Sequence, residues 1–169
     1  MLKPKFQRGF SYVVFGFYFI LLVWLVLFKL NFNLLEVSHA RTINLIPFWY
    51  DGSTEFLLHL KEMLYNVLVF VPLGMYISIF RPDWAFWKKV LLCFVVSLLF
   101  ETLQFAFALG VSDITDLITN TLGGVAGVLL YTLLRKVFRE HSLSIINCLG
   151  FATEGLAVSF LAVLLVANG

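Results

Sequence analysis

Five stretches of this chain are each long and apolar enough to cross the hydrocarbon core of a membrane, and nothing constrains its fold more. A core about 30 Å thick takes roughly 20 helical residues, at about 1.5 Å of rise per residue. The stretches cover about 10–28, 63–80, 90–109, 114–134 and 143–166, the second with room to begin earlier. A soluble domain carries about 45–50% apolar and about 25% charged residues. Here the fractions are 61% and 13%, with 19 phenylalanines in 169 residues. So much apolar surface cannot all be hidden from water, so part of the solvent is lipid. The expected fold is all-α: one polytopic helical membrane domain over 1–169, with about five transmembrane helices.

Basic residues set the orientation, because Lys and Arg accumulate in cytoplasmic loops. Lys3, Lys5 and Arg8 precede the first stretch; Arg81, Lys88 and Lys89 lie between the second and third; Arg135, Lys136 and Arg139 lie between the fourth and fifth. Lys29, Arg41 and Lys61 fall in the first outer loop and its edges. Of the acids only Asp83 and Glu140 sit in the inner loops. The amino terminus is therefore expected in the cytoplasm and the carboxyl terminus outside. The first stretch has a basic flank, and Ser38-His39-Ala40 follows it, as around a signal-peptide cleavage site. Its apolar run is too long for that, and it is read as a retained helix.

The first outer loop, about 29–61, is rich in apolar and aromatic residues such as Leu34, Leu35, Ile46, Phe48, Trp49 and Tyr50. That suits a segment lying in the interface or dipping into the bundle. Asp51-Gly52-Ser53 signals a turn, and Ser53 or Thr54 suits the cap of a helix leading into the second stretch.

Polar side chains within the apolar stretches carry the most information, since an ionised group at the membrane centre costs about 2.5–3.5 kcal/mol even on insertion scales. Glu55, His59, Glu62 and Asn66 follow one another at helical spacing and form one stripe on the second helix. The third helix carries Glu101 and Gln104, with Glu101 roughly 12 Å below the outer exit. The fourth carries Asp113, Asp116 and Asn120 at spacings of three and four. Three helices thus place polar groups at overlapping depth in the outer half. Turned toward one another they form an outward-facing pocket of His59, Glu62, Asn66, Glu101, Gln104, Asp113, Asp116 and Asn120, with Arg41 and Asn44 over it.

Each residue also has a plain structural role open to it. Asp113 suits a helix N-cap, and Asp116 suits the positive end of the helix dipole. Asn66, Gln104 and Asn120 suit interhelical hydrogen bonds. His59 and Glu62 suit a solvated face above the membrane. Glu101 is the hardest to read that way, being the deepest acid of the group. Glu154, midway along the last stretch, is a second buried acid of unassigned role. Gly123, Gly124 and Gly127 form a small-residue seam for helix packing. Pro72 and Gly74 suit a kink in the second helix. Cys93 and Cys148 each sit in an apolar run and are read as buried hydrophobes rather than a disulfide. No P-loop, dinucleotide fingerprint, Ser-His-Asp set or zinc spacing is present. No metal, cofactor or nucleic-acid partner is expected; the partners expected are membrane lipids.

Four segments in order carry a resemblance: Asn44-Leu45-Ile46-Pro47-Phe48; Asn66 through Val67-Leu68-Val69-Phe70-Val71-Pro72-Leu73 to Gly74; Glu101-Thr102-Leu103-Gln104; and Asp113 through Asp116 and Asn120 to Gly124. Together they resemble the VanZ-like family of bacterial membrane proteins, over roughly 41–131. The fifth helix, about 143–166, lies outside. Many members carry an arginine shortly after the Glu-x-x-Gln element, where this chain reads Ala108-Leu109-Gly110-Val111-Ser112. Arg41 is then the cation left to pair with the acids, unless they stay protonated. The resemblance implies a multi-pass protein of the bacterial cytoplasmic membrane that reduces susceptibility to teicoplanin and related lipoglycopeptides without rebuilding the peptidoglycan target.

Three functions follow as expectations. The first is a pocket that binds an envelope lipid, a lipid-linked cell-wall precursor or the lipoglycopeptide itself. The second is a membrane enzyme modifying an envelope lipid, with Glu101 and Asp116 as its acid/base pair. The third is a small proton-coupled transporter. Oligomeric state is not legible.

Overall fold

The structure is a computed structural model and describes residues 4–28, 41–50, 52 and 56–168. Five long helices account for most of it. They are α1 (Pro4–Phe28), α2 (Phe56–Phe80), α3 (Phe86–Phe107), α4 (Ile114–Phe138) and α5 (Ser142–Asn168). Two four-residue strands, β1 (Arg41–Asn44) and β2 (Gly110–Asp113), precede α2 and α4. Among the described residues, four helical stretches are long and apolar enough to cross a membrane: Gln7–Leu27, Phe56–Phe80, Phe86–Phe107 and Ile114–Ser159. The last runs through α4, a 3-10 turn at Arg139–His141 and into α5, which is why four stretches appear where the sequence suggested five.

The protein turns its apolar side chains outward. Phe17, Ile20, Leu129 and Leu156 are among its most exposed residues, whereas Ser11, Ser97, Gln104, Asn120 and Asn147 are buried. Such an inversion suits lipid, where interior polar groups must find one another. They do so helix to helix. Asn120 Nδ2 donates to Ser97 Oγ at 3.0 Å, joining α4 to α3. Asn147 Nδ2 donates to Ser11 Oγ at 2.9 Å, joining α5 to α1. The Tyr18 hydroxyl donates to the Val69 carbonyl at 2.6 Å, joining α1 to α2.

The tightest packing lies between α2 and α4, where glycines let two backbones touch. A Cβ on Gly123 would run into the Val67 carbonyl, one on Gly127 into the Val71 carbonyl, and one on Gly74 into the Gly124 carbonyl. Gly74 is therefore a partner in the seam that Gly123, Gly124 and Gly127 line on α4. Close approach of this kind maximises dispersion contact between helices that gain nothing from excluding water.

The all-α expectation needs one correction. β1 and β2 pair in parallel, with Arg41 opposite Gly110 and Asn44 opposite Asp113. Parallel strands need a long crossover, and here α2 and α3 supply it. The outer loop that suited an interfacial segment thus begins, in its described part, as a strand. The expected caps Ser53 and Thr54, and Glu55 of the polar stripe, lie outside the described residues.

Candidate functional site

The ribbon stands where α3 ends and α4 begins. α3 stops at Ala108, which takes the left-handed conformation while Leu109 N–H donates to the Gln104 carbonyl at 2.9 Å, in the manner of a Schellman end. The chain then reverses into β2. Asp113 caps α4 by accepting from Thr115 N–H at 2.7 Å. Its second oxygen accepts from Asn44 Nδ2 at 3.0 Å, tying β1 to the cap. Asn44 Oδ1 in turn accepts from Ile46 N–H at 3.1 Å and starts the turn that follows. Phe48 N–H donates to Thr115 Oγ1 at 3.0 Å, and Phe48 is held at φ 58°. That is an unusual conformation for an aromatic residue, kept where the loop is pinned to the top of α4.

Glu101 belongs to this clasp. Its Oε2 accepts from Ser112 Oγ and from Asp113 N–H, each at 2.9 Å, so a buried carboxylate anchors β2 to α3. The deepest acid of the group thus serves, through these bonds, to position the ribbon.

Beneath the clasp a cavity of about 400 Å³ opens between α1, α2, α3 and α4. Glu62, Asn66, Gln104 and Asp116 supply its polar lining; Leu25, Val26, Tyr65 and Val69 complete the wall. Asp116 lies in the first turn of α4, near the positive end of the helix dipole. Asn66 Nδ2 donates to Asp116 Oδ1 at 2.6 Å and braces α2 against α4 at the cavity wall. Gln104 Nε2 donates to the Val26 carbonyl at 2.8 Å. That carbonyl is in the last turn of α1, where helices leave acceptors without an intrahelical donor. Gln104 Oε1 is buried and has no hydrogen-bond partner among the described residues. The lining therefore sets the Gln104 side chain beside two acidic side chains, in a volume suited to a small ligand.

The ten residues expected in one pocket are thus distributed. Glu62, Asn66, Gln104 and Asp116 line the cavity. Asn44, Asp113 and Glu101 build the clasp over it. Asn120 bonds to Ser97 within the α3–α4 packing. His59 faces the Tyr50 ring, with centroids 5.7 Å apart. Arg41 opens β1, and its side chain lies outside the described residues. Sequence reasoning missed Ser97, Ser112 and Thr115, each within one hydrogen bond of a residue it singled out. It also missed the aromatic and aliphatic wall, which periodicity cannot tell from lipid-facing surface. Glu154 lies elsewhere, on an apolar groove of about 590 Å³ between α1 and α5. Cys148 is exposed, where a buried position was expected, and Cys93 is buried. Cys93 lies against Gly124.

A family model described as VanZ/LLP1 matches residues 15–135, from within α1 nearly to the end of α4. The chain is also 42% identical over 128 residues to "Protein VanZ" of Enterococcus faecium, covering 75% of this chain and 76% of that one. No solved structure matches it.

Proposed function

This chain belongs to the VanZ/LLP1 family, and from that premise we propose that it lowers susceptibility to teicoplanin and related lipoglycopeptides by holding a ligand in the cavity under the ribbon. The observation that carries this reading is the cavity lining. Glu62 and Asp116 are acceptors, so the ligand they suit is rich in donors. A sugar or an amine fits; a bare phosphate would be repelled by the carboxylates. The apolar wall suits the start of a lipid tail. A lipid-linked cell-wall precursor, another envelope lipid and the drug itself share this chemistry.

In the proposed orientation the chain crosses the bacterial cytoplasmic membrane five times, with its amino terminus inside and the ribbon outside. The cavity then opens toward the outer leaflet, where lipid-tailed glycopeptides meet their target. Binding is favoured over acid/base chemistry because only Asp116 of the Glu101–Asp116 pair lines the cavity.

The test is drug susceptibility in a sensitive Gram-positive host carrying the wild type, Asp116→Asn or no copy. Teicoplanin susceptibility is expected to fall with the wild type and to return to the host's level with Asp116→Asn at equal membrane abundance, with vancomycin little changed. A wild-type effect that Asp116→Asn leaves intact would remove the cavity from the mechanism.

A further inference from the structure

At the end of the bundle away from the ribbon, two adjoining cavities of about 390 and 360 Å³ share Pro82, Tyr131 and Arg135 in their linings. Arg8 of α1 and Arg139 of the 3-10 turn line the first; Lys89 of α3 and Lys136 of α4 line the second. Glu140 is the one acid among these lining residues. Five cations from four elements therefore converge on a concave surface whose lining holds one carboxylate. A positive-inside bias accounts for cations at this end, but does not require them to converge. Lys89 goes further, being only 8% exposed and within electrostatic reach of Arg135. Asp83 is the acid within reach of that lysine.

Arg81, in the neighbouring α2–α3 turn, and Lys88, in the first turn of α3, behave differently. The Arg81 guanidinium lies over the Trp84 ring at 5.4 Å, and the Lys88 ammonium over Trp87 at 5.5 Å. Tryptophans so placed mark the membrane–water boundary. The two cavities adjoin that turn through Pro82, at headgroup level.

We propose that these joined cavities form a binding site for a phosphate group, carried by the headgroup of an anionic lipid. Arginine forks and lysine ammoniums are the donors that bind phosphate oxygens, and basic pockets between membrane helices take anionic headgroups. Arg135, shared by both cavities, is the central donor. The site is chemically the reverse of the acceptor-lined cavity at the ribbon end, and it stands whether or not that cavity binds a drug or precursor.

The test uses the full chain in phosphatidylcholine–detergent micelles, titrated with phosphatidylglycerol or with inorganic phosphate, reading the melting temperature. Phosphatidylglycerol is expected to raise it saturably. Arg135→Gln is expected to weaken the apparent affinity about tenfold or more, and Arg81→Gln, which removes a charge outside the cavities, about twofold or less. The melting temperature in phosphatidylcholine alone reports folding. If Arg135→Gln does not fold, the exposed Lys136→Gln and Arg139→Gln carry the same expectation. Equal losses from Arg81→Gln and Arg135→Gln would mean diffuse surface charge and overturn the site, as would no response to either probe. A response to inorganic phosphate with the same dependence on Arg135 would keep the phosphate site but assign it to a soluble ligand.

Discussion

α2 and α4 meet twice along their length, in opposite ways. From Gly123 to Gly127 their backbones touch, and a Cβ added at Gly123, Gly127 or Gly74 would strike a carbonyl of the partner helix. Just toward the ribbon the same helices are spanned by the Asn66–Asp116 bond at the wall of a cavity. One region has no room for a methyl group; the next has room for a ligand. Residues only one turn apart on α2, Asn66 and Val67 to Val71, thus serve a hinge-tight seam and an open site. The seam fixes the spacing of the helices, and the cavity is what that spacing leaves once polar side chains hold its rim.

This contrast can be broken most severely at the seam. Gly127→Leu is expected to destabilise the protein by about 3 kcal/mol or more, because backbone cannot yield to an inserted side chain as a flexible neighbour would. Thermal melting in detergent and the yield of folded protein check this; a melting temperature near wild type would mean the helices can part without penalty. Next comes the clasp. Glu101→Ala leaves the Asp113 N–H without its carboxyl acceptor and the Ser112 hydroxyl with only the main-chain carbonyl of residue 101, at 3.2 Å, an expected loss of about 1–3 kcal/mol. Hydrogen exchange should rise at residues 110–113 and stay unchanged across the seam. Exchange rising everywhere would show that ribbon and bundle unfold as one.

Smaller effects separate packing from binding. Asn120→Ala removes the bond to Ser97 and is expected to lower stability by about 1 kcal/mol, with drug susceptibility unaltered at equal abundance. Glu62→Gln, at the exposed cavity rim, is expected to change stability by about 0.5 kcal/mol or less while weakening the teicoplanin effect. If Asn120→Ala removed the effect and Glu62→Gln did not, the functional surface would lie on α3–α4 instead of in the cavity.

The helices were legible because run length in an apolar stretch is a one-dimensional property. The seam was half legible: Gly123 and Gly127 showed themselves by spacing, but Gly74 looked like part of a kink beside Pro72. Its role depends on which face of α4 it meets. Depth along each helix levelled Asn66, Gln104 and Asp116, which line one cavity. It levelled Glu101 and Asn120 equally well, yet one turns to β2 and the other to Ser97. Depth gives height in the membrane; the direction around the helix comes only from packing. The ribbon left almost no signal, since Arg-Thr-Ile-Asn and Gly-Val-Ser-Asp are too short to show alternation, and their partners lie far apart in the chain.

That separation has a consequence for how the protein is made. Asn44 and Asp113 are 69 residues apart. At about 5–20 residues per second of synthesis, β1 would wait roughly 3–14 seconds for its partner to leave the ribosome. During that wait α2 and α3 have to be made and packed, while β1 is without its mate. Closure of the ribbon is therefore a late step in biogenesis: a nascent chain that stalls after α3 has three long helices, α1 to α3, but no clasp. Quality-control proteases that sample unpaired segments would meet Arg41–Asn44 before they could meet a closed ribbon.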